Sequence, residues 1–402
     1  MQEENPIVVI GAGPSGSFTA LMVARQHVPV IVLEEHERVG FPPHCAGHVG
    51  IKGLSRTGLN IPNNLVENRI RGARFYSPSL YEFILDHGSP VTYVLDRPGF
   101  DRWLADEATR YGATYNLNTR VQSITQEGDH VTIVIGPRYP RMLVSNLVID
   151  AEGCPATLLK AMGFSWIRPS GMINGVQAEV DTLVDVDKEL VELYFSREYA
   201  PGFFAWIIPK GDGSGKIGLG VRGHDPIALL RRFISVHPVA SKKLAKSKVR
   251  SQTVHPKSVG GPISRTYASN ILVAGDAASQ TKPTTGGGIV TGLLCSRIAS
   301  EVGVQAWAQS DFTAIFLSRY QVQWKKAVWK DFLVMRRIRR YLDTLSDEKM
   351  NCLFEGALRT GILNDLACLD DIDLQGSSLL RLAKKPRALF NLARFAWEVI
   401  KD

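Results

Sequence analysis

Three glycines near the N-terminus, Gly11, Gly13 and Gly16, have the spacing that lets a backbone turn tightly, admit a phosphate and pack a helix on a strand. Glu34 follows 23 positions after Gly11, where a carboxylate at a strand end can hold both ribose hydroxyls of an adenosine. A second group lies about 260 residues on, with Gly275-Asp276 followed by Gly286-Gly287-Gly288-Ile289. A carboxylate ending a buried strand can accept a hydrogen bond from a sugar-alcohol hydroxyl. A glycine turn that opens a helix offers N–H groups and a positive dipole end to a flavin ring edge, where negative charge develops on reduction. One glycine turn does not distinguish a nicotinamide from a flavin; the two segments together fit opposite ends of one FAD. Two further groups carry chemistry. Cys45 stands between His44 and His48, which can lower a thiol pKa, so Cys45 is either a proton donor or a small residue packed against a ring. Phe204, Trp206 and Ile208 alternate along an otherwise apolar stretch and give one strand face that suits a polyprenyl chain.

These residues need particular elements to hold them. Ile7 to Ile10 and Val30 to Leu33 read as buried parallel strands, with Phe18, Leu21 and Met22 on the helix between them. The stretch from Glu35 to Gly50 is too rich in Gly and Pro for regular structure. Strands are expected at Gly72 to Tyr76, Tyr81 to Leu85 and Val91 to Leu95, then a helix opened by Arg97-Pro98 and ended by Gly112. Short strands follow near 114–117, 121–126 and 131–135, and Leu147 to Asp150 returns to the parallel sheet. Met172 to Val180, Glu189 to Phe195, Phe203 to Pro209 and Lys216 to Val221 read as a second, antiparallel sheet. A helix at Pro226 to Val236 and a strand at Val249 to His255 accompany it, and the chain from Asp311 reads as helix to its end. The expected class is α/β. A Rossmann-like FAD-binding domain (1–70, 96–165 and 262–305) carries an inserted antiparallel-sheet substrate domain (71–95 and 166–261) and a helical C-terminal extension (306–402).

Composition narrows the function classes. The chain has 402 residues, 45% hydrophobic and 21% charged, and no stretch reaches the 18 or so apolar residues needed to cross a bilayer. The first strand begins by residue 7, which leaves no room for a leader. Five scattered cysteines fit a reducing cytoplasm and form neither a disulfide framework nor a metal site. The net charge of +8 is concentrated: Arg319 to Arg340 holds eight Lys or Arg and one acid, interleaved with Trp324, Trp329 and Phe332. The tail repeats the theme with Arg381, Lys384, Lys385 and Arg387 beside Leu389, Phe390 and Trp397. Such segments suit an anionic membrane surface, or else a solvated face over an apolar stripe. No nucleic-acid module accompanies them.

In order along the chain, the Gly11–Gly16 fingerprint, Arg97-x-x-Phe100-Asp101, Ala151-Glu152-Gly153 and Gly275-Asp276 with Pro283-x-x-Gly286 resemble the para-hydroxybenzoate hydroxylase-like flavoproteins. More narrowly, Gly40-Phe-Pro-Pro-His-Cys45 and Phe204-Ala-Trp-Ile-Ile-Pro209 are similar to the geranylgeranyl reductase branch, which includes archaeal digeranylgeranylglycerophospholipid reductases. The resemblance covers roughly residues 6–300. It implies that Ser15 contacts the pyrophosphate end with Glu34 at the adenosine, and that Arg97 lies on the pyrophosphate and Val121 at the adenine. Cys45, Ala46 and His48 would lie along the flavin, Asp276 would hold the ribitol, and Gly288 and Ile289 would sit at the ring. Where that branch has Cys-Gly-Glu, this chain has Cys45-Ala46-Gly47-His48.

The implied activity is reduction of C=C bonds of geranylgeranyl chains by FAD, on a membrane lipid precursor, by a cytoplasmic protein peripheral to the membrane. Its electron donor would be a ferredoxin-like protein, a reduced nicotinamide or a deazaflavin. An FAD monooxygenase of a bulky apolar substrate and a non-catalytic prenyl-chain carrier are the alternatives.

Overall fold

The computed structural model describes residues 5–136, 141–165, 169–369, 371–391 and 394. The chain divides into two compact units: 1–43, 97–171 and 258–332 form the first, and 44–96, 172–257 and 333–402 the second.

The first unit is built on a six-stranded sheet. Its spatial order is Tyr267–Ala268, Ile271–Val273, Val148–Asp150, Ile7–Ile10, Val30–Leu33 and Thr114–Asn116. All neighbours are parallel except the first pair. Val9 sits between Val32 and Ile149, and these apolar runs are buried on both faces, as parallel strands covered by helices require. The helices include Pro14–Ala24 and Ile289–Gln309. A three-stranded antiparallel sheet, Val121–Glu127, His130–Ile135 and Arg141–Ser145, packs Val121, Val131 and Ile133 against Val8, Ile10 and Leu33. Its last strand has no sequence signal, because Arg141, Met142 and Val144 are exposed and carry no alternation.

The second unit holds a seven-stranded sheet in the order Val249–Ser258, Met172–Val180, Gly215–Val221, Ala205–Pro209, Leu190–Tyr194, Gly72–Tyr76 and Glu82–Asp86. Leu190–Tyr194 and Gly72–Tyr76 run parallel. Side chains alternate across it. Ala205, Ile207 and Leu219 face a cluster with Leu230 and Phe233 of the helix Pro226–Val236. Ile208 and Trp206 pack with Ile70, Val94 and Val191. A smaller sheet joins His48–Gly50, Thr92–Leu95 and Val66–Ile70.

Two expectations fail here. The glycine-rich loop does contain a strand, His48–Gly50, created by pairing with Thr92–Leu95 some forty residues away, which local composition cannot register. The C-terminal region is not one helix. Ala314–Thr344 ends, Ser346 caps Asp347–Thr360 by accepting from Lys349 N–H, and Gly361 at φ +71° breaks the path before Ile362–Leu366. Trp397 lies outside the described residues.

Candidate active site

The glycine turn is sterically determined. A methyl on Gly11, at φ +89°, would lie 2.5 Å from the Ala151 carbonyl oxygen, and one on Gly16 would overlap the Gly11 carbonyl. Gly13 differs: a methyl there would meet nothing within 4 Å, so its surface is open for a ligand to approach the backbone. The helix that follows has Pro14 in its first turn and no side-chain cap, leaving first-turn N–H groups for an anion. Glu34 is buried at the end of its strand, and its carboxylate accepts from Ala12 N–H at 2.7 Å and His36 N–H at 2.9 Å. It therefore braces the turn. Val121 is buried in the three-stranded sheet beside Leu33. Arg97, also buried, is oriented by Asp101, with Nε 3.1 Å and Nη2 2.9 Å from its carboxylate oxygens.

The second segment meets the first inside the same unit. A methyl on Gly292 would lie 2.7 Å from Ser15 Oγ, and one on Gly275, in the turn before the Gly292 helix, would overlap the same side chain, so only glycine fits beside Ser15 at either position. Asp276 stands against Gly288, where a methyl would come within 2.6 Å of Oδ1. Ile289 begins a helix that also lacks a side-chain cap. This cradle of bare backbone and uncapped helix N-termini, with the two carboxylates of Glu34 and Asp276, fits the chemistry of FAD. Sequence reasoning missed its brace. Gln280 Oε1 accepts from Gly275 N–H at 2.9 Å, Gln280 Nε2 donates to Tyr320 Oη at 3.0 Å, and Tyr320 donates to the Val273 carbonyl at 2.9 Å. The link from Gln280 to Tyr320 spans 40 residues and has no motif.

Cys45, Ala46 and His48 belong to the second unit, together with Phe204, Trp206 and Ile208. Ala46 packs on the cluster that holds Trp206 and Ile208, which puts the cysteine loop beside the apolar wall. Trp206 is half-buried and Ile208 is 5% exposed. The indole lies across Gly218 of the neighbouring strand, where a methyl would overlap Cζ2. Phe204 meets Trp206 edge-on at 6.1 Å and stacks on Phe203 at 4.3 Å. The two histidines beside Cys45 have their own partners: His48 Nε2 lies 2.7 Å from Thr92 Oγ1, and His44 stacks on His255 at 4.0 Å. Cys45 is partly exposed, whereas Cys295 is fully buried and its thiol pKa is pushed up by that burial.

On the long basic helix, Trp324 and Phe332 are core residues, not members of a surface belt. Arg319, Lys326, Lys330, Arg337 and Arg340 are exposed, as are Ile315 (87%) and Val322 (66%). Among the described residues, no helix is long and apolar enough to cross a membrane, and no cluster of three or more metal-ligating side chains occurs.

A parallel sheet with two glycine-lined segments at its carboxyl ends defines a dinucleotide-binding fold, and the second unit holds an antiparallel sheet with an aromatic wall. Residues 172–251 match the geranylgeranyl reductase catalytic domain. A digeranylgeranylglycerophospholipid reductase 2 from Methanopyrus kandleri is 32% identical over 394 residues, covering 95% of this chain and 96% of that one. Among solved structures, a geranylgeranyl bacteriochlorophyll reductase-like protein from Thermoplasma acidophilum superposes with a TM-score of 0.83 at 23% identity, over 97% of this chain and 98% of that one. A halogenase in complex with FAD superposes with a TM-score of 0.70 at 14% identity, over 99% and 96% of the two chains. The chain belongs to the digeranylgeranylglycerophospholipid reductases of the geranylgeranyl reductase family.

Proposed function

We propose that this protein is an FAD-dependent reductase that saturates C=C bonds in the geranylgeranyl chains of a glycerophospholipid precursor. The observation that carries the reading is the wall of Phe204, Trp206 and Ile208 beside the Cys45 loop, in a chain of this family. An apolar aromatic surface binds an isoprenoid by burying its area and keeps water from the double bond. Gly11, Gly13, Ser15, Gly16, Glu34, Arg97 and Val121 hold the adenosine and pyrophosphate half of FAD. Asp276 holds the ribitol, with Gly288, Ile289, Cys45, Ala46 and His48 at the ring. Reduced FAD held there would supply a hydride equivalent to one alkene carbon. The Cys45 thiol gives its proton to the other carbon and is reprotonated from solvent, so the product gains two hydrogens per bond reduced. Electrons come from a ferredoxin-like protein, a reduced nicotinamide or a deazaflavin. The protein works in the cytoplasm at an anionic membrane surface, a reading supported by the exposed cations of Ala314–Thr344 and the exposed Ile315 and Val322 on the same helix.

The nearest rival is a monooxygenase on the same fold. Oxygen separates the two. The purified, chemically reduced protein should saturate a geranylgeranyl glycerophospholipid under strict anaerobiosis. Product that forms only with oxygen, and carries a hydroxyl, would replace this reading with the rival.

A further inference from the structure

The sheet face that carries Trp206 and Ile208 also carries a buried cation that no motif announces. Lys216 stands directly across from Ile208 on one side and Glu179 on the other, two positions before the Gly218 that the indole covers. It is 2% exposed, and its Nζ donates to the Leu95 carbonyl at 2.9 Å. The Glu67 carboxylate lies beside it, with Oε2 2.5 Å from the ammonium as an ion pair outside hydrogen-bond geometry. Glu67 is the extra residue of a bulge, since Val66 pairs with Leu95 and Asn68 with Val94. A bulge re-aims one side chain out of the strand's alternation, and here that side chain meets Lys216. Lys210 engages the other carboxylate oxygen, Oε1, at 2.7 Å.

The Leu95 peptide joins this cation to the cysteine loop. Its carbonyl accepts from Lys216, and its N–H donates to the Gly47 carbonyl at 3.0 Å. Gly47, at φ +70°, follows Cys45-Ala46, and His48 after it pairs with Val94. Leu95 is fully buried, and Ala46 packs on the cluster of Val94, Ile208 and Trp206. One peptide therefore ties the ammonium to the backbone two residues from the thiol. A methionine or leucine would fill similar space without the desolvation that a buried lysine costs. What the lysine adds is a charged donor to that carbonyl, and hydrogen bonds from ionised donors are shorter and stronger than neutral ones.

We infer that Lys216, held by Glu67, is a positioning residue for the Cys45 loop: through Leu95 it fixes the backbone that carries the thiol. The inference rests on the reductase reading, in which that thiol gives the proton, and adds to it what keeps the thiol in place.

The test treats the full-length, FAD-loaded protein with iodoacetamide and follows alkylation of each cysteine by peptide mass spectrometry. Cys352 and Cys368, accessible and on other parts of the chain, serve as internal references. Lys216→Met keeps a buried stem and removes the ammonium. Alkylation of Cys45 should then quicken by about three- to tenfold, the worth of one hydrogen bond. The two reference cysteines and the FAD content should be unchanged, and saturation of a geranylgeranyl glycerophospholipid should slow by a comparable factor. Glu67→Gln should move Cys45 in the same direction by less, and it remains informative should Lys216→Met fail to fold. Lys210→Met removes a cation from the same carboxylate but leaves the Lys216 bond to Leu95, so Cys45 should react at the wild-type rate. An unchanged Cys45 rate in Lys216→Met, or in Glu67→Gln should only that variant fold, would overturn the inference. So would equal quickening of all three cysteines, or quickening of Cys45 in Lys210→Met, either of which marks general loosening of the unit. Faster Cys45 alkylation with reduction unimpaired would count against the thiol as proton source alone, the loop then being held as inferred. No reduction by the wild type, with the alkylation pattern as stated, would count against the reductase reading alone.

Discussion

Asp276 and Cys45 carry the account's most exposed claims at the scale of single residues. Asp276 stands in the turn after the strand Ile271–Val273, against Gly288, and Asp276→Ala should weaken FAD retention by about ten- to hundredfold, the loss of one charged hydrogen bond. FAD content after dialysis measures this, and retention equal to wild type would remove Asp276 from the ribitol. Glu34 would be a poorer test, because its carboxylate also ties down Ala12 and His36 and its loss would loosen the turn itself. Cys45→Ala should slow alkene reduction by about 10²–10⁴-fold, as for loss of a general acid, without changing FAD content. Cys45→Ser, with a far higher pKa, should recover little. A wild-type rate in Cys45→Ala would leave the thiol a packing role only. The glycines and Asp276 were legible in the sequence because close backbone approach admits glycine alone, which fixes both residue type and spacing. Lys216, Glu67 and Leu95 were not. Lys216 and Leu95 are 121 positions apart, and only the folded chain brings them together.

Elements were legible where their pattern was local. Gly72–Tyr76, Met172–Val180 and the helix Pro226–Val236 fall where their local patterns put them, and Asp225 caps that helix by accepting from Ile227 N–H. Val66–Ile70 and Arg141–Ser145 escaped, being short and without clean alternation, and so did His48–Gly50, which its partner strand defines. One element makes a pH-dependent prediction. His237 is buried among Tyr194, Tyr199 and Phe233, and its Nδ1 accepts from Val239 N–H at 3.2 Å and Ala240 N–H at 3.1 Å. Burial pushes its pKa from 6.5 down to about 4, so the fold favours the neutral ring. The stabilisation is present above pH 6.5 and is lost as the pH falls toward 4, because the unfolded chain takes up the proton first. The melting temperature should fall across that window. His237→Gln should be less stable at neutral pH but flatter through the window. An equal slope in wild type and variant would assign the acid sensitivity elsewhere.

For the molecule as a whole, the claims concern where the protein works and what it does. Burial of Trp324 and Phe332 leaves the long helix with a basic outer face whose aromatics serve the core. Neutralising Lys325, Lys326, Arg336 and Arg337 together should reduce sedimentation with anionic vesicles in a salt-sensitive way, with FAD content unchanged. Each such charge contributes about 1 kcal/mol near the surface. Unchanged sedimentation would make the face merely solvated. Reduction of geranylgeranyl chains changes lipid mass, so lipid mass spectrometry reads it without an assay of the electron donor. A host that makes geranylgeranyl glycerophospholipids should be compared with and without this protein, using Asp276→Ala as the flavin-deficient control. Lipids made with the protein should be heavier by two hydrogens for each double bond, formed without oxygen and much reduced in the control. Lipids of unchanged mass despite an FAD-loaded protein and a competent electron donor would contradict it.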